Sequence, residues 1–96
     1  MTMNCENITY SEHAIGQMFS RVITPNNVDY IITFGETIAE YKNDKPYPSK
    51  LILGFLEKRP IHIVVAYDKE NKNCIIVTAY EPDIKLWSNY FKTKKK

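Results

Sequence analysis

Apolar residues recur at helical spacing as far as Gly35 and at strand spacing beyond it, and this change of period confines the chain to an α+β fold with its helices first. Ser11 is a good N-cap, and Ile15, Met18, Phe19 and Val22 follow at i, i+3, i+4 and i+7, which predicts a helix to about Val22 with that stripe buried. Thr24-Pro25 opens a second helix through Val28, Ile31 and Ile32, and Gly35 is placed as its left-handed cap.

After Gly35 the pattern predicts strands over Thr37–Tyr41, Leu51–Leu56, Ile61–Tyr67 and Cys74–Tyr80, divided by polar turns. The third run is nearly all apolar and reads as a central strand. Asp83 is read as the cap of a short last helix presenting Leu86, Trp87 and Tyr90 to the core. The expected architecture is two N-terminal helices packed on a four-stranded antiparallel meander sheet, closed by a short C-terminal helix. Ninety-six residues make one domain, with 1–8 and 92–96 as flexible ends.

Seven Tyr, four Phe and Trp87 supply bulk for a core without staples. Cys5 and Cys74 lack any close spacing and read as two reduced thiols. No apolar run approaches the roughly 20 residues of a membrane helix, and no signal peptide is visible, so the expected address is cytoplasmic and away from membranes. The net charge of +2 hides an uneven distribution. Lys92, Lys94, Lys95 and Lys96 hold four positive charges, leaving nine basic against eleven acidic residues over 1–91. The body is mildly acidic and the tail basic, and two arginines alone make a poor phosphate-gripping surface.

Two histidines carry the chemical interest. His13 falls in an i, i+4, i+8 row with Gln17 and Arg21 on the first helix. His62 interrupts the apolar third strand and points the same way as Val64 and Ala66. An even register sum in the last hairpin would set His62 opposite Tyr80 and Val64 opposite Thr78; an odd one would put His62 and Tyr80 on different faces. Imidazole titrates near neutrality, arginine holds phosphate or a developing oxyanion, and tyrosine donates or stacks, a set suited to acid–base chemistry. The plain alternative is a hydrogen-bonded strand histidine, a surface His13, and Tyr80 and Trp87 as core. A metal site would need a third ligand at fixed spacing, and Cys5, Cys74 and Glu81 are scattered.

The motifs Tyr10-Ser11-Glu12-His13-Ala14, Met18, Arg21 and Ile23-Thr24 resemble the opening of the bacterial family filed as domain of unknown function 4258. Gly35-Glu36, Tyr47-Pro48-Ser49, Leu53-Gly54, Arg59-Pro60-Ile61-His62, Thr78, Tyr80-Glu81-Pro82-Asp83 and Trp87 continue the resemblance in order. That family looks like a relative of the RelE- and BrnT-type toxins, small ribonucleases of barnase-like α+β fold. The resemblance implies a metal-independent endoribonuclease without cofactor, acting on RNA and paired with a cognate antitoxin, in some members of zinc-finger type. It implies catalytic roles for His13, His62, Arg21, Tyr80 and Thr78, with Gln17, Trp87 and Arg59 in substrate contact. The family usually carries Arg where this chain has Gln17, which removes one cation from the site. The alternative expectation is a catalytically inactive protein- or nucleic-acid-binding domain of the same fold.

Overall fold

A computed structural model describes residues 5–88 and 90–94. The order is β1 (Asn7–Tyr10), α1 (Glu12–Arg21), α2 (Pro25–Phe34), β2 (Glu36–Tyr41), β3 (Ser49–Leu56), β4 (Arg59–Asp68), β5 (Asn73–Tyr80), β6 (Trp87–Ser88) and β7 (Thr93–Lys94). The strands β1 to β5 form one mixed sheet in the order β1-β5-β4-β3-β2, and β6 with β7 makes a separate two-stranded hairpin. Strands β2 to β5 form the expected antiparallel meander, but β1 adds a fifth strand parallel to β5. This corrects the four-stranded antiparallel expectation. Asn7-Ile8-Thr9-Tyr10 is too short to announce a strand, and it is one because β5 offers it an open edge.

The C-terminal helix is also corrected. Residues 84–86 form a turn, and Trp87 begins the hairpin instead of sitting in a helix. Asp83 does act as a local cap, accepting from the Lys85 amide at 2.8 Å, without a helix following it. The two thiols are not reduced: Cys5 and Cys74 are joined by a disulfide with their Cα atoms 5.5 Å apart. It ties the start of β1 to β5, where Ile8 lies opposite Cys74.

Both helices pack on one sheet face. Ala14 and Met18 from α1, and Val28 and Ile31 from α2, meet Ile52, Ile61, Ile63, Val65, Ile76 and Ala79 in a single core. The predicted buried stripe of α1 holds only at Met18, because Phe19 is 88% exposed and Ile15 and Val22 are exposed with it. The roll of α1 is set instead by Ser11. Its hydroxyl accepts from the Ala14 amide at 3.0 Å and donates to the Val77 carbonyl at 2.9 Å, while its own amide donates to the Ile76 carbonyl at 3.0 Å. Cap and sheet contact are one residue, so the apolar row turns away from the sheet.

Thr24 caps α2 as expected, in a reciprocal capping box with Asn27. Gly35 is not left-handed: its φ is −75°. Its need for glycine is close approach, since an added Cβ would lie 2.4 Å from the Ile31 carbonyl oxygen and 2.7 Å from Ile52. The left-handed residue is Val22, at the end of α1, with φ 56°. Arg59 covers that helix end, its guanidinium donating to the carbonyls of Val22 (3.3 Å) and Arg21.

Candidate functional site

The β4–β5 hairpin begins in odd register, from Asp68 opposite Asn73 to Val65 opposite Ile76. A bulge at Val77 then shifts it, so that Val64 faces Thr78 and His62 faces Tyr80 in even register. Ile61 and Ile63 point to the helices, so His62 points to the other face. There it is fully buried. Trp87 closes over it edge to face, ring centroids 4.4 Å apart, and Tyr80 lies at 5.2 Å.

The tautomer follows from the partners. Nε2 is 2.8 Å from the Phe91 carbonyl, which can only accept, so Nε2 carries the proton. In the neutral ring Nδ1 is then an acceptor, and the Tyr80 hydroxyl donates to it at 3.0 Å. Burial holds the imidazole below its ordinary value, opposed in part by the bond to Phe91. Burial also raises the Tyr80 phenol, with a smaller contribution from the Tyr41 phenol. The result is a half-buried hydroxyl backed by a base whose orientation is set by a third group, an arrangement able to move a proton.

Helix α1 runs along the edge of β5 that β1 leaves open beyond Ile76. Ser11 engages Ile76 and Val77, and Gln17 engages the next two residues. The Gln17 Oε1 accepts from the Ala79 amide at 2.9 Å and from the Thr78 hydroxyl. Further on, the end of α1 reaches Arg59, whose Nε donates to Glu81 at 2.7 Å. His13, Gln17 and Arg21 fall in the expected helical row, and of the three Gln17 is bonded to β5. His13 and Arg21 are exposed, and neither side chain has a polar partner among the described residues.

The structure therefore brings together His62, Tyr80 and Trp87 in one cluster, and Gln17 with Thr78 in another. It does not bring His13 and His62 together, because α1 lies on the face that His62 turns away from. A mechanism in which the two imidazoles act directly on one atom is not held in this arrangement. Arg59 is occupied in joining α1 to Glu81. Sequence reasoning missed Phe91, whose backbone oxygen orients His62; a main-chain acceptor leaves no signal in residue type. Among the described residues no cluster of three or more His, Cys, Asp or Glu could hold a metal ion. Nor is any helix among them long and apolar enough to cross a membrane.

A family model described as "Domain of unknown function (DUF4258)" matches residues 10–81. It spans α1 to β5 and stops before Trp87 and the hairpin that covers His62. No curated protein and no solved structure matches the chain.

Proposed function

The chain belongs to the DUF4258 family, and from that premise we propose that it is a metal-independent endoribonuclease toxin of a bacterial toxin–antitoxin system. The observation that carries this reading is the Tyr80 hydroxyl bonded to an oriented His62, on a strand whose open edge Gln17 engages. In the reaction a ribose 2′-oxygen attacks the adjacent phosphorus as the bond to the 5′-oxygen breaks, leaving a cyclic phosphate. The Tyr80 oxygen takes the 2′ proton as its own passes to Nδ1 of His62, and solvent protonates the leaving 5′-oxygen. Arg21 steadies the charge that builds on the phosphate, and the Gln17 amide, whose oxygen is engaged by β5, offers its nitrogen to the same group. RNA is the implied substrate, and a cognate antitoxin the implied protein partner.

The test is cleavage of single-stranded RNA by the purified chain in EDTA, with the product ends analysed. The expected product carries a 2′,3′-cyclic phosphate, and His62→Ala, Tyr80→Phe and Arg21→Ala each lower the rate about 100-fold or more. Unaltered cleavage in all three variants sinks the mechanism, and no cleavage by the wild type sinks the reading.

The exposed stripe of Ile15, Phe19 and Val22 on α1 favours a second reading, a partner-docking domain without catalysis. Under it, Phe19→Asp abolishes capture of a co-expressed neighbouring gene product, while His62→Ala changes neither that capture nor bacterial growth.

A further inference from the structure

A cleft of about 420 Å³ opens between α2, the end of β3 and the β6–β7 hairpin. Tyr30, Phe34, Phe55 and Tyr90 supply its rings, and Lys92 stands at its rim. These rings are exposed, Phe34 by 73% and Tyr90 by 80%. Tyr30 and Phe34 meet at 5.1 Å with planes tilted by 48°, so neither ring covers the face of the other. A second depression shares Tyr30 and Phe55 and extends the cleft to Arg59, passing Glu57 on its way. The aromatic track therefore runs from the hairpin toward the Arg59 clamp at the end of α1.

Charge selects among occupants. The body over 1–91 carries a net −2, whereas Lys92 and Lys94 lie in the hairpin and Lys95 and Lys96 follow in sequence. Lys92 pairs at 3.0 Å with Glu36, which lines the same cleft, but both side chains are exposed and such a pair is worth little, leaving Lys92 able to turn to a phosphate. Open aromatic faces beside a basic segment suit bases that stack without sequence preference and a backbone held electrostatically. An acidic duplex offers phosphates but no free base faces.

The same segment touches both places. Tyr90 and Lys92 line the cleft, while Phe91 between them gives its carbonyl to His62 and Trp87 covers the imidazole. We propose that this cleft is a stacking site for single-stranded nucleic acid, gripped by Lys92 and Lys94, and that filling it shifts the hairpin that covers His62. The inference deepens the ribonuclease reading by naming a single-stranded substrate, and it rests on that reading for the role of His62.

The experiment measures fluorescence anisotropy of a labelled oligo(dT), which lacks the 2′-hydroxyl and cannot be cleaved, alongside emission from Trp87, the chain's one tryptophan. Tyr90→Ala and Phe34→Ala should each weaken binding about tenfold. Lys92→Gln should flatten the dependence of log affinity on log salt by about 0.7. Phe19→Ala, on α1, should leave binding unchanged, and Trp87 emission should change with the midpoint of binding. Absence of binding, equal binding to duplex DNA, or indifference to the cleft variants overturns the site. A dimer that Tyr90→Ala dissolves also overturns it, showing the cleft to be a contact between copies. Flat Trp87 emission on saturation overturns the link to His62. Binding without RNA cleavage retains the site and removes the ribonuclease reading; cleavage unaffected by cleft variants does the reverse.

Discussion

His62 is held by partners that suit only its neutral form: a hydroxyl donating to Nδ1 and a carbonyl accepting from Nε2–H. Burial lowers its proton affinity below the ordinary imidazole value of 6.5. The unfolded chain therefore binds a proton at a higher pH than the folded one, and stability rises with pH through that interval. The contribution is complete above 6.5 and is lost as pH falls through the lower folded value. Denaturant midpoints measured from about pH 7.5 down to 5 should decline, and His62→Phe should flatten that decline. Gln17 is a second residue whose cost can be stated. Gln17→Ala leaves the Ala79 amide and the Thr78 hydroxyl without their acceptor, a loss of about 1–3 kcal/mol in the same measurement.

Among the elements, β1 is short and borders the sheet, and the Cys5–Cys74 bond holds it across a sequence separation of 69. Constraint of so long a loop in the unfolded chain is worth about 2–4 kcal/mol. Cys5→Ser should lower the denaturant midpoint accordingly, and amide exchange should quicken first along Asn7–Tyr10 and its β5 partners. A dithiol added to the wild type should reproduce the shift and leave Cys5→Ser unmoved. Where α2 crosses β3, Gly54 lets Ile31 approach so closely that an added Cβ would lie 2.7 Å from its side chain. Gly54→Ala should destabilise by about 1–3 kcal/mol through overpacking, read in thermal melts.

For the molecule as a whole, the β6–β7 hairpin links the sheet face bearing His62 to the aromatic cleft beside α2. Trp87→Ala should uncover the imidazole; because burial is the larger cause of its lowered proton affinity, His62 should titrate closer to 6.5 by NMR. Much of this was legible in the sequence. The caps Ser11 and Thr24, the change of period at Gly35 and the central strand through His62 follow from local chemistry. So does the row of His13, Gln17 and Arg21, because helical periodicity alone sets it. The fifth strand, the disulfide and the hairpin in place of a last helix did not. Each depends on an edge or a surface supplied by residues distant in the chain.

The meeting of His62 with Tyr80 shows where that boundary lies. Residue identity determined that His62 points away from its apolar neighbours, since strand side chains alternate. Continuing the odd register at the hairpin's start would have left Tyr80 on the opposite face. Only the bulge at Val77 reverses this, and its backbone is supported from outside the hairpin. The Ser11 hydroxyl takes the Val77 carbonyl, and Gln17 takes the Ala79 amide beyond it. Backbone groups on an edge need partners, and α1 supplies them only once it has docked on β5. The residues of the pair were therefore present in the sequence, but their shared face was decided by the packing of a helix against a strand edge.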